Sequence, residues 1–226
     1  MPQTGALKTL VYEENIRLPA GGLVILSEGN VSQISDDRTF FVIKPSGVEY
    51  VELSPEKMVV VDMQGRVAEG DLKPSVDWPT HLEIYKRFSR IGGIAHTHSP
   101  FATTFAQMRQ PISCYGTTQA DAFPGDIPVT RPLSPEEIEG NLEVHTAEVI
   151  SEILAKEYTG CTLVANHGPF TFGTTAKQAV DHALITEKVA MMALLGEYPA
   201  LQPRMLFRRH FERKHGSNRY YGQNTK

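Results

Sequence analysis

The chain predicts an α/β fold whose sheet is not of the doubly wound parallel kind. Three observations carry this. Helix-like and strand-like apolar patterns interleave along all 226 residues. Gln64-Gly65, set between Asp62 and Val67, is a tight hairpin signal, and strands joined that closely run antiparallel. No internal repeat, low-complexity tract or long linker divides the chain, so residues 1–226 are expected to form one domain with a substantial core.

In order along the chain, Leu7, Leu10, Val11 and Glu14 give residues 6–17 a helical pattern. Leu23-Val24-Ile25-Leu26, Thr39-Phe40-Phe41-Val42-Ile43 and Met58-Val59-Val60-Val61 read as strands. A helix is expected to open near residue 79, after Ser75. Ile91-Gly92-Gly93-Ile94 starts a strand that carries His96 and His98. Ser134-Pro135-Glu136-Glu137 is a helix start, with Ser as cap, Pro in the first turn and Glu three residues on. Cys161-Thr162-Leu163-Val164-Ala165 is a strand leading to His167, and Gly168-Pro169 is expected to stop it. Residues 175–195 form the longest helix, with Val180, Leu184, Met191 and Leu195 on one face and the Met191-Met192 pair filling core. A last helix is expected to end at Lys214-His215-Gly216, where Gly suits a cap.

The bulk properties narrow the function. A net charge of −4 gives no general footprint for nucleic acid. The local basic run Arg204, Arg208, Arg209, Arg213 and Lys214 is read as a solvated helix face. No run of eighteen apolar residues is present, so no membrane partner is expected. The first residues, Met1-Pro2-Gln3-Thr4-Gly5, lack the charged start and apolar core of a signal peptide. Cys114 and Cys161 alone make no disulfide framework. A cytoplasmic location is the expectation.

The chemistry concentrates at a few positions. Side chains two apart on a strand share a face, so His96 and His98 can converge on one cation, with His167 from a second strand end. Three imidazoles, with or without a carboxylate, form a catalytic zinc-type site that leaves room for substrate oxygens. Asp77 is a helix cap, a fourth ligand or a base, and His81, one turn on, is a supporting residue. Two polar segments, Gly29-Asn30-Val31-Ser32 and Lys44-Pro45-Ser46-Gly47, read as simple turns or as anion loops. A third, Lys73-Pro74-Ser75-Val76-Asp77, meets a helix N-terminus, which favours an anion.

These strings occur in one order with Gly116-Thr117-Thr118-Gln119-Ala120-Asp121, Asn166-His167-Gly168-Pro169-Phe170 and the terminal Tyr220-Tyr221-Gly222-Gln223. The ordered set resembles the L-ribulose-5-phosphate 4-epimerases of the class II aldolase superfamily over nearly the whole chain. The resemblance implies a three-layer α/β/α domain with a central, largely antiparallel sheet. It also implies a homotetramer with metal sites at subunit interfaces. Asp77, His96, His98 and His167 would hold a divalent cation, zinc first, with manganese or cobalt as alternatives. Asn30, Lys44, Ser46, Gly47 and Ser75 would bind the phosphate of a pentulose 5-phosphate. Asp121 and Tyr221 would transfer protons from the neighbouring subunit, the latter on a tail, 216–226, that reaches across. Thr117, Glu143, His210 and Arg213 match supporting positions. Val76 departs from the pattern, since these epimerases commonly carry a second Ser there, and the lost hydroxyl removes about 1 kcal/mol of phosphate binding.

Inverting C4 of such a sugar is not a simple deprotonation, because C4 is not adjacent to the C2 carbonyl. Transient oxidation would use a nicotinamide, yet no G-x-G-x-x-G follows a strand, so no nicotinamide is expected. Breaking and remaking C3–C4 fits a metal acting as Lewis acid. The rival readings are a class II sugar-phosphate aldolase, a related dehydratase, and a non-catalytic module like the adducin head. Asp77, where those aldolases generally carry Glu, and the Tyr-Tyr-Gly-Gln tail favour the epimerase. The three histidines disfavour the non-catalytic module.

Overall fold

The computed structural model describes residues 2–198, 204–217 and 219–222. Helix α1 (Pro2–Ala20) contains the pattern expected over 6–17 and extends it at both ends. The strands are β1 (Asn30–Ile34), β2 (Phe40–Ile43), β3 (Val59–Asp62), β4 (Val67–Glu69), β5 (Gly93–His96), β6 (Cys161–Val164) and β7 (Gly168–Gly173). They form one sheet in the order β4-β3-β2-β1-β5-β7-β6, and every neighbouring pair is antiparallel. An isolated parallel bridge, Val129 to Leu163, lies beside β6. The expected hairpin joins β3 to β4, with Gly65 at φ 82° in its turn.

Alternation of side chains places one set of strand residues on each face. Phe41, Ile43, Val59, Val61, Ile94, Phe170 and Phe172 pack against α2 (Trp78–Arg87) and α6 (Leu142–Leu154). Val31, Val42, Val60 and Ala95 pack against α1 and α7 (Ala176–Leu195). Burying each such aliphatic or aromatic side chain contributes about 1.5–3 kcal/mol. The layers are therefore α/β/α, as the resemblance implied. The remaining helices are α3 (Pro100–Met108), α4 (Thr117–Ala120), α5 (Pro135–Glu139) and α8 (Arg204–His215). Ser134 caps α5 in a full capping box with Glu137. No helix among the described residues is long and apolar enough to cross a membrane.

Several expectations are corrected. Leu23–Leu26 is not a strand: Leu23 and Val24 are buried beneath α1, but Leu26 turns to φ 52° and Ile25 and Leu26 are exposed. Gly29-Asn30-Val31-Ser32 is not a loop, because β1 begins at Asn30 and pairs it with His96. His98 is not on β5, which ends at His96. Gly168-Pro169 does not stop a strand but opens β7. The Pro lacks a ladder N–H, and its carbonyl accepts from Thr97 N at 3.3 Å instead. Met191 and Met192 are not core: they are 38% and 43% exposed, because the last turns of α7 run past the face covered by the sheet.

Candidate metal centre and anion pocket

The end of β5 and the β6–β7 turn bring three imidazoles together. Ring centroids of His96, His98 and His167 lie 4.6–5.1 Å apart, and one ligand atom from each falls within 4.8 Å of the others. Their convergence depends on a close backbone approach. Gly168 sits where a Cβ would stand 2.6 Å from Thr97 O and 3.3 Å from His98 Cδ2, so only glycine fits without displacement. Asn166, at φ 63°, turns the chain just before His167. Phe170 stacks on His96 with centroids 4.1 Å apart and holds the ring in plane.

The donor set fits a divalent cation. His96 Nδ1 lies 3.0 Å from Pro169 O, an acceptor only, so Nδ1 carries the proton and Nε2 presents its lone pair. That Nε2 faces His98 Nε2 at 3.1 Å, close to the roughly 3.3 Å edge of a tetrahedron with zinc–nitrogen bonds of 2.0–2.1 Å. Two imidazole lone pairs at that distance repel unless a proton or a cation lies between them. Burial first, then the neighbouring imidazoles, hold His96 well below the ordinary imidazole range, and burial lowers His167 as well. Neutral imidazoles are the form that ligates metal.

Asp77 stands at the N-cap position of α2, but its side chain makes no cap bond. Its carboxylate instead accepts from Asn30 Nδ2 at 2.7 Å, and Asn30 Nδ2 also reaches Ser75 Oγ at 3.0 Å. Asp77 is near enough to His167 and His81 to act on their charge. It is not one of the three groups within 4.8 Å, so the structure puts it beside the triad, not inside it.

The two remaining polar segments lie side by side. Pro45 bridges Pro74, Ser46 N donates to Lys73 O and Ser75 N donates to Lys44 O, both at 2.9 Å. This lays Lys44-Pro45-Ser46-Gly47 against the segment that opens α2. Ser46 and Gly47 are exposed, and Gly47 takes φ 68°. Lys44 is buried: its ammonium donates to Ser27 O at 2.9 Å and lies 4.9 Å from the Tyr50 ring centre. Burial lowers its pKa to about 8. Val76 is exposed at the mouth of these segments.

Asp121 and Tyr221 come together elsewhere, against the C-terminal half of α8. Asp121 follows α4 and accepts from His210 Nδ1 (3.0 Å) and from Arg213 (2.7 and 3.1 Å), with Lys214 Nζ at 3.6 Å. Arg213 and Lys214 also lie over the Tyr221 ring, 5.2 and 4.3 Å from its centre. Burial pushes the Asp121 carboxyl up, but the Arg213 and His210 bonds and the Lys214 charge outweigh it and hold it below its usual value. Among the described residues, none of these bonds or ring contacts reaches the histidine triad. Thr117 opens α4, and Glu143, in the first turn of α6, gives its backbone carbonyl to Thr80. Gln223 and the rest of the tail lie outside the described residues.

Sequence reasoning passed over Glu28. Its Oε2 lies 3.6 Å from His98 Nδ1, on the side of the ring away from His96. Tyr50 was missed too: its hydroxyl donates to Glu28 O at 2.9 Å while its ring faces Lys44. Neither carries a motif, since both act through contacts that only the fold creates. A second group of possible ligands, Glu137, His145 and Glu148, is poorly suited to a cation, because Arg131 already holds Glu137 through two bonds of 2.7 and 2.8 Å.

An antiparallel α/β/α sandwich bearing a three-histidine cluster and two paired polar segments defines a class, and the chain belongs to the class II aldolase and adducin family. The family description "Class II Aldolase and Adducin N-terminal domain" matches residues 10–194. Within it, the chain is 48% identical over 224 residues to L-ribulose-5-phosphate 4-epimerase UlaF of Salmonella paratyphi C (strain RKS4594), covering 96% of this chain and 98% of that protein. Among solved structures it resembles an L-fuculose 1-phosphate aldolase, with TM-score 0.76 and 24% identity over 90% of this chain and 95% of the other. It also resembles the L-fuculose-1-phosphate aldolase of Thermus thermophilus, with TM-score 0.68 and 24% identity over 87% and 100%. At that identity the structures speak for the fold alone.

Proposed function

We propose that this chain is a metal-dependent epimerase that interconverts L-ribulose 5-phosphate and D-xylulose 5-phosphate by breaking and re-forming C3–C4. The observation that carries the reading is the three-histidine cluster set directly beside paired anion loops. The 48% identity to a protein of that activity supports the substrate. His96, His98 and His167, with Asp77 beside them, would hold a zinc ion, which would supply Lewis-acid polarisation at the C2 carbonyl and C3 oxygen, where the charge is taken up when C3–C4 breaks.

The chain's own residues do the rest. Ser46, Gly47, Ser75 and Asn30 hold the substrate phosphate by short polar groups and backbone N–H, and Lys44 supplies charge. That grip keeps the two-carbon aldehyde phosphate in place after cleavage. Turning its carbonyl presents the opposite face, and re-addition inverts C4. The C4 hydroxyl gives up its proton on one side and regains one on the other, which calls for two proton-transfer groups. Asp121 and Tyr221 fill these roles from a neighbouring subunit of a homotetramer. Their clustering on α8, with no bond to the triad of the same chain among the described residues, supports a site completed across a subunit boundary.

The test is incubation of zinc-loaded protein with L-ribulose 5-phosphate, followed by NMR of the products. D-xylulose 5-phosphate without accumulating glycolaldehyde phosphate is expected. Stoichiometric release of the aldehyde would instead make the chain an aldolase.

A further inference from the structure

Beneath the triad runs a short buried relay that the proposed chemistry does not use. Tyr85 Oη and His81 Nδ1 each lie 2.7 Å from Ser32 Oγ. All three side chains are buried, and His81 is completely so. The relay abuts the site. Ser32 is two residues from Asn30 on β1 and shares its face, and Asn30 stands opposite His96 in the sheet. The His81 ring lies edge-on to Phe170, the ring that stacks on His96. His81 N donates to Asp77 O at 3.1 Å, in the first turn of α2.

The protons of this relay can be assigned by satisfaction. The His81 ring is fully buried, with a hydroxyl on Nδ1 and no bonded carboxylate, so it is neutral and carries one proton. Suppose that proton were on Nδ1. Ser32 would accept it and donate to Tyr85, and two groups would lack partners: the phenol proton and the Nε2 lone pair. In the other arrangement Tyr85 donates to Ser32 and Ser32 donates to His81 Nδ1. Then a single group is left over, an N–H on Nε2. Buried polar groups are costly to leave unpaired, so the second arrangement wins. Nε2 is indeed one of the few buried side-chain atoms without a partner among the described residues, and Asn30 Oδ1 is another.

We propose that His81 is a positioning residue: the Tyr85–Ser32 relay fixes it as the Nε2–H tautomer, and it donates that proton to the Asp77 carboxylate when the site holds its cation. Asp77 is the carboxylate close enough to act on the His81 ring, and its bonds from Asn30 and Ser75 go to one oxygen, Oδ2. A carboxylate beside a metal is oriented by such outer bonds, and their loss typically weakens metal binding about 10–100-fold. The inference rests on the metal reading above.

The experiment has two readouts, neither of them turnover. First, long-range proton–nitrogen NMR of ¹⁵N-histidine-labelled protein, with His81→Gln to assign the signal, should report Nε2–H. An Nδ1–H signal overturns the proposal. Second, competition titration against a chelator gives the zinc affinity of His81→Phe, Asp77→Asn and the double variant. His81→Phe should bind zinc about 10–100-fold more weakly, His81→Gln should recover part of the loss through its amide donor, and His81→Phe should add little in the Asp77→Asn background. If His81→Phe loses its cooperative melt, Ser32→Ala replaces it and should weaken binding in the same direction. Wild-type affinity in these variants overturns this inference alone. Failure of the wild type to take up zinc overturns both it and the metal reading.

Discussion

Lys44 is a buried ammonium whose partners are a carbonyl and an aromatic face, with no carboxylate among them. A substrate phosphate would supply the missing anion. Because burial lowers its pKa to about 8, the cation is present below that pH and is lost as pH rises through it. Affinity for inorganic phosphate, followed by calorimetry, should therefore hold to about pH 7 and fall above pH 8, and Lys44→Gln should flatten the profile. An unchanged alkaline limb in the variant would remove Lys44 from the anion pocket. Glu28 is the second informative residue. Set at 3.6 Å from His98 Nδ1, it stands where it would hold the ring with Nε2 toward a bound cation. Glu28→Gln should lower zinc affinity by about tenfold, in the range for outer-sphere partners of ligating histidines. Equal affinity in the two proteins would make the pair incidental. At this scale the sequence was legible for the ligands themselves, because H-x-H and His-Gly are local strings. Glu28, Tyr50 and the Ser32 relay were not legible, because their partners lie far away in sequence.

At the scale of elements, the triad depends on how closely the β6–β7 turn approaches the segment after β5. Gly168→Ala would drive a Cβ against Thr97 O. It should cost about 1–3 kcal/mol in thermal or denaturant melts, with a matching loss of zinc affinity. A neutral substitution would show that the two segments can part without harm. Helix α8 is the other element with a defined dependence. Its docking rests on Asp121, whose carboxyl is held below its ordinary value. That contribution is complete above the ordinary carboxylate pKa and disappears as pH falls through the lowered one. Hydrogen exchange of α8 should therefore accelerate selectively only once the pH falls below the ordinary carboxylate range, and Asp121→Asn should show the same acceleration at neutral pH. Exchange that is independent of both would mean that other contacts hold the helix. Elements with strong caps or a continuous aromatic and β-branched run, such as α5 and β2, were plain from the residues. The run Leu23–Leu26 misled because its apolar character reflects burial of Leu23 and Val24 under α1, while the left-handed Leu26 prevents strand pairing. The H-x-H spacing misled in a subtler way: it implied one strand face, yet His98 reaches His96 from beyond the strand end.

For the whole molecule, the chain carries two clusters, one of imidazoles at the ends of β5 and β6 and one of Asp121 and Tyr221 gathered by α8. Periodicity alone does not reveal which surfaces meet another copy. On α7, Val180 is buried by the chain's own sheet, whereas Met191 and Leu195 on the same predicted face are exposed. The α/β class followed from the interleaving and the antiparallel pairing from the hairpin signal, whereas the α/β/α layering and the division of the site between subunits came only with the family resemblance. Under the proposed function, a complete site needs one cluster from each of two subunits, as a head-to-tail ring provides. The most direct measurement mixes two inactive proteins, His98→Asn and Tyr221→Phe, under conditions of verified subunit exchange, and assays epimerisation of L-ribulose 5-phosphate. Random mixing in equal amounts should restore about one quarter of the wild-type sites, because those interfaces join an intact triad to an intact Tyr221 in a symmetric ring. No recovery despite exchange would contradict the shared site and place Tyr221 within its own subunit's site or outside the chemistry.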